Sequence, residues 1–129
     1  MKLIDGKNIA EKVLDEIKLS VDQRLKNNLK VPHLAAILVG DDGASKTYVN
    51  SKIKACKRVG FKSSLFKFDD SISESELISQ IQNINDNDDI DGFIVQLPLP
   101  KNINQVKILN KVSSDKDVDG FHPNNYGKM

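Results

Sequence analysis

Cysteine, tryptophan and arginine are the scarce residues of this 129-residue chain: one cysteine, no tryptophan, and only Arg24 and Arg58. A lone Cys56 forms no internal disulfide, which predicts a reducing, cytoplasmic setting. With two arginines, a surface built for bidentate phosphate recognition is not expected. Neither sign of charge dominates: 19 basic and 18 acidic side chains leave a net charge of +1. That balance gives no electrostatic reason to expect nucleic acid or a membrane surface as partner. No apolar run approaches the ~20 residues that span a bilayer. The start, Met1-Lys2-Leu3-Ile4-Asp5-Gly6, turns polar at once, unlike a secretory signal. His33 and His122 have no cysteine or second histidine at ligand spacing, so no metal is expected. A Gly-x-Gly-x-x-Gly turn after a strand and a Walker motif are both missing, so no dinucleotide or nucleotide site is visible.

What is present suits one domain, residues 1–129, with one core, at an ordinary hydrophobic fraction of 39%. Ile9, Val13, Ile17, Val21 and Leu25 recur every four residues, with Ala10 and Leu14 beside them, and predict a helix over 7 to about 27. His33 to Gly40 is a short, nearly continuous apolar run after Pro32, the pattern of a strand buried on both faces. A second helix is expected over 44–59, stopped by Gly60, and a second strand over 61–68. Ser73-Glu-Ser-Glu76 is a capping box, with Ile72 and Leu77 placed as a hydrophobic staple for a third helix. Asp91 to Gln96 reads as a third strand that stops at Leu97-Pro98-Leu99-Pro100. A short helix near 103–111 and a short strand around Val118 complete the pattern. Helix and strand alternate, which predicts a three-layer α/β/α domain with a mostly parallel sheet of about four strands.

Ligands of open parallel sheets bind beyond the carboxyl ends of the strands. Gly40 and Gln96 mark two such ends, and Asp119 lies in a loop able to return to that edge. Tyr48 and Lys52, four apart on one helix, share a face. A phenol beside an ammonium suits proton transfer; the plainer alternative is a tyrosine packed on a lysine stem at the surface. Gln96 is a polar amide ending an apolar strand, where it either meets a ligand or is satisfied by the strand end. Asp115, Asp117 and Asp119 crowd three carboxylates into five residues, but the glutamate of a calcium loop is missing downstream. A solvated turn, or a divalent-metal module, is the other reading of that stretch. Cys56 shares the apolar side of its helix with Val49 and Ile53, as a small buried residue would. Lys52 lies about two turns into its helix, roughly 12 Å along it, so a cleft using it must run down the helix face.

Three stretches carry a family resemblance: Ala44-Ser-Lys-Thr-Tyr48-Val-Asn-Ser-Lys52 with Gly60-Phe61 after it, Asp91-Gly-Phe-Ile-Val-Gln-Leu-Pro-Leu-Pro100, and Asp115-Lys-Asp-Val-Asp-Gly-Phe-His-Pro123. Ile4-Asp-Gly-Lys7 fits as well. The sequence resembles the N-terminal, folate-binding catalytic domain of bifunctional methylenetetrahydrofolate dehydrogenase/methenyltetrahydrofolate cyclohydrolase, and the resemblance covers essentially the whole chain. It implies oxidation of 5,10-methylenetetrahydrofolate with NADP, then hydrolysis of the methenyl product to 10-formyltetrahydrofolate. By resemblance, Lys52 carries the hydrolysis, Tyr48 stacks on and orients the folate, Gln96 holds Lys52, Asp119 binds the pterin, and Val95 and Leu97 flank the ligand. The full-length family further implies a Rossmann-type NADP domain, a returning C-terminal helix and a homodimer. None of these segments is in the sequence, so the resemblance predicts a domain fragment with no NADP site, no dehydrogenase activity alone and an uncovered apolar face. Gly43 stands where the family usually has proline, and either residue opens a helix. A short-chain dehydrogenase also uses Tyr-x-x-x-Lys, but its glycine-rich loop would fall at Gly40-Asp-Asp-Gly43, which does not match. A non-catalytic folate-binding or assembly module is the alternative function.

Overall fold

A computed structural model describes residues 6–120. The elements follow the expected order: α1 (Gly6–Lys26), β1 (His33–Val39), α2 (Gly43–Val59), β2 (Lys62–Phe68), α3 (Glu74–Asn85), β3 (Gly92–Val95) and α4 (Gln105–Lys111). The three strands are all parallel, in the order β2-β1-β3. β1 is therefore central, which explains its apolar run: both faces are covered and both edges are paired. The short strand expected around Val118 is reduced to one parallel bridge, Phe93 to Asp117, so the described sheet has three strands where about four were expected. Gly92–Val95 is short, and beyond the bridge the segment turns away, with Gly120 N–H donating back to Asp117 O.

Alternate residues of β1 feed two separate cores. Ala35, Ile37 and Val39 face Leu77, Ile81 and Ile84 of α3 and Ile108 of α4, with Phe93 and Val95 beside them. Ala36 and Leu38 face Val49 and Ile53 of α2, with Ile94. The strand period of two thus separates the helical layers. α3 starts as its sequence predicts: Ser73 is the N-cap and its hydroxyl accepts from the Glu76 amide at 3.1 Å. α2 ends at Gly60, whose φ of 85° is left-handed and where a Cβ would stand only 3.0 Å from Val21 Cγ1 of α1.

α1 forms where its period predicts, but of its apolar stripe only Val21 is buried, while Ile9, Val13 and Leu25 are exposed. α1 packs on α2 and is tied to it by Arg58, which pairs with Glu11 and Asp15. At the opposite, amino end of β1, His33 is buried with both ring nitrogens engaged, Nε2 with Ser64 Oγ at 2.7 Å and Nδ1 with the Asp89 carbonyl at 3.1 Å. It is a structural latch between neighbouring segments. The motif residues Ile4, Asp5 and Phe121-His122-Pro123 lie outside the described residues.

Candidate active site

The chain leaves β1, crosses by α2 to β2 on one side, then by α3 to β3 on the other. Its direction therefore reverses between β1 and β3, where open α/β sheets bind ligands. Gln96 follows β3 at that edge and extends the ladder, its amide donating to Ile37 O at 2.9 Å. The Leu97–Pro98 peptide is cis.

A cavity of about 210 Å³ opens there, lined by Lys52, Val95, Gln96, Leu97 and Asp119. Lys52 descends from α2 and donates from Nζ to Gln96 Oε1 at 3.1 Å. The other end of the amide donates from Nε2 to Leu97 O at 3.2 Å, which settles which way the glutamine points. A neutral oxygen thus holds the lysine. Asp119 reaches the cavity from the far side on the loop after α4 and is exposed. Tyr48 lies one turn before Lys52 on α2 and is 60% exposed; it does not line the cavity with the other residues. Its ring is largely uncovered, on the same face of α2 as the lysine.

Ser45 went unnoticed in the sequence. It is 3% exposed, and its hydroxyl donates to Asp42 Oδ2 at 2.9 Å and lies 3.4 Å from Leu97 O. The one hydroxyl hydrogen goes to the nearer Asp42 carboxylate, within α2's first turn, and the Leu97 carbonyl is only a neighbour. Asp42 is the N-cap residue but caps no backbone amide; its carboxylate serves Ser45 instead. The available signal was Asp42-x-x-Ser45 at a helix start, which reads equally well as a capping pattern.

Cys56 is buried, and burial pushes its thiol above the ordinary value, so it is unsuited to act as a thiolate. Among the described residues, no group of three histidine, cysteine, aspartate or glutamate side chains converges to hold a metal ion, Asp115, Asp117 and Asp119 included. No described helix is long and apolar enough to cross a membrane.

A dinucleotide would need amide donors at the strand-to-helix turn. The turn after β1 instead borders a cavity of about 380 Å³ lined by Gly40, Asp41, Lys67, Phe68, Asp69 and Asp70. Asp41 is already paired with Lys46 at 2.7 Å. A hydrogen bond with Asp69 raises the Asp70 carboxyl above its usual range, the mark of two crowded acids. These residues do not fit the pyrophosphate of NADP, and no hydride step is assigned to them.

A family model described as "Tetrahydrofolate dehydrogenase/cyclohydrolase, catalytic domain" matches residues 4–119, which includes every residue of the cavity. The chain belongs to that family. The bifunctional protein FolD of Christiangramia forsetii is 62% identical over all 129 residues, and that of Flavobacterium psychrophilum 56%. The chain spans 43% and 44% of those two relatives, less than half their length. Among solved structures, the bifunctional FolD enzyme of Campylobacter jejuni superposes with a TM-score of 0.94 at 43% identity, over 98% of this chain and 45% of that one. The Trypanosoma brucei FolD structure, complexed with NADP cofactor and inhibitor, gives 0.92 at 29% identity, over 98% and 43%. The tetrahydrofolate dehydrogenase/cyclohydrolase fold is thus present here as its catalytic domain.

Proposed function

We propose that this chain provides the folate site and the hydrolytic residues of a methylenetetrahydrofolate dehydrogenase/methenyltetrahydrofolate cyclohydrolase, and that its own reaction is hydrolysis of 5,10-methenyltetrahydrofolate. The observation that carries the reading is the Lys52 Nζ to Gln96 Oε1 hydrogen bond of 3.1 Å beside Asp119 in one cavity. The methenyl carbon is a cation's electrophilic centre. Water adds to it, the bond from that carbon to N5 breaks, and the formyl group stays on N10. One water proton ends on N5 and the other is released. Lys52 takes and returns these protons, a role that needs an amine able to lose its charge. A carboxylate partner would hold the lysine as ammonium; the Gln96 oxygen positions it with a weaker pull. Asp119 accepts hydrogen bonds from the pterin amino and ring N–H groups, for which an acceptor-only carboxylate is suited. Tyr48 stacks on the folate, and Val95 and Leu97 flank it.

Oxidation of methylenetetrahydrofolate with NADP belongs in this reading to the longer proteins of the family, as does assembly into a homodimer. The setting is the cytoplasm, supported by a lone, buried cysteine.

The test is hydrolysis of methenyltetrahydrofolate by the purified chain and by Lys52→Met. The expected result is a loss of about 100-fold or more in rate, the usual scale of general acid–base catalysis, with folate binding kept. An unchanged rate in the variant overturns the role of Lys52. Binding without turnover by the unsubstituted chain would favour a folate-binding module.

A further inference from the structure

Asp119 is carried by a segment outside any named helix or strand, so its position depends on how that segment is fastened. Three fastenings meet there. The Phe93 amide donates to Lys116 O at 2.9 Å, next to the bridge between Phe93 and Asp117. The Lys116 ammonium donates to Ile84 O at 3.1 Å and Asn87 O at 2.6 Å. Both carbonyls lie at the carboxyl end of α3, where the helix dipole favours a cation. Gly92 supplies the third: a Cβ built there would stand 2.6 Å from Val118 Cγ2, far inside contact distance.

Among the described residues, the glycines with positive φ are Gly40, Gly60 and Gly120, and Gly92 is not one of them. Its lack of a side chain therefore serves space and not backbone conformation. The space is taken by Val118, which is 56% exposed and so adds little to the core. An exposed valine pressed onto a buried strand glycine makes sense as a locator for its neighbour, Asp119.

We infer that Gly92 and Lys116 are positioning residues for substrate: they form a seat that fixes the 116–119 segment and so sets how tightly Asp119 holds the pterin. This rests on the reading of Asp119 as the pterin-binding carboxylate. It separates the loop's contribution, which is affinity, from that of Lys52, which is turnover.

The experiment uses the chain with Gly92→Ala, Val118→Ala, the Gly92→Ala/Val118→Ala pair, and Lys116→Met. Hydrogen exchange of the Phe93 amide reports the seat, and titration with methenyltetrahydrofolate reports the site. Gly92→Ala and Lys116→Met should speed Phe93 exchange and raise Kd and KM by about tenfold or more, as for a lost hydrogen bond to a charged group, leaving kcat within about threefold. The double variant should recover the affinity of Val118→Ala, because trimming the valine removes the clash. Phe93 exchange that is unchanged in both single variants overturns the proposal. Faster exchange with unaltered affinity overturns it too. So does a fall in kcat alone, or a double variant no better than Gly92→Ala. Failure of the unsubstituted chain to bind folate would instead sink the folate reading, while Phe93 exchange would still decide whether the seat holds the loop.

Discussion

At the scale of single residues, the site depends on what Gln96 is not. Its Oε1 accepts from Lys52 while its Nε2 is committed to Leu97 O, so the amide has one orientation and one partner at each end. Gln96→Glu retains the size and the acceptor but adds a charge within reach of the ammonium. The ion pair would favour the protonated lysine. We expect hydrolysis to fall by about 100-fold or more; the rate of the variant beside that of the unsubstituted chain checks this. A rate equal to the unsubstituted chain would mean that Lys52 never needs to shed its proton. Tyr48 is the residue that sequence spacing grouped most readily with Lys52, yet it stands 60% exposed beside the cavity. Spacing of four residues places two side chains on one helix face; it does not say how far the ligand's surface extends along that face.

At the scale of elements, local signals did well where the energetics are local. The Ser73 cap and the Gly60 stop lie where their chemistry requires, and Ile72 packs against the core cluster that contains Leu77. Ser73→Ala should cost about 1 kcal/mol of stability, the usual worth of such a cap. Urea unfolding at fixed slope measures it, and a change below a few tenths would show the Glu76 amide finding another acceptor. α1 shows the reverse. Its period of four was legible, but periodicity names a face and not the thing that covers it. Packing on α2 buries Val21 and leaves Ile9, Val13 and Leu25 exposed.

At the scale of the whole molecule, charge is spent on ties between segments at the sheet's amino end. A hydrogen bond from Lys62 holds Asp89 below the usual carboxylate range, and one from Lys30 does the same for Asp91, helped by the His33 amide. The folded chain therefore binds these protons more weakly than the unfolded chain. Their stabilisation is complete above the unfolded value of about 4 and is lost as pH falls through the lower folded values. Asp70 runs the other way, since its raised carboxyl favours the folded state at acid pH and loses that contribution as pH rises. Tm should fall as pH drops below about 4, and the Asp89→Asn/Asp91→Asn pair should flatten that fall. Added salt should shrink the difference, because these groups are exposed. A pair whose acid profile matches the unsubstituted chain would show that the ties contribute nothing measurable.

The sequence alone determined the order and type of the elements and the parallel sheet, which follow from periodicity and turn chemistry, properties of neighbours along the chain. It also singled out Tyr48, Lys52, Gln96 and Asp119, with Val95 and Leu97 added by family resemblance; all of these but Tyr48 line one cavity. The tertiary structure decided the rest. It showed that the Asp42 carboxylate takes the buried Ser45 hydroxyl instead of capping α2, and that α1 packs on α2 with only Val21 buried. It showed too that the turn after β1 is crowded with carboxylates, and that Gly92 makes room for the residue beside Asp119. All but the first of these depend on atoms that meet across long stretches of chain, and close packing turns such meetings into constraints that no local pattern records.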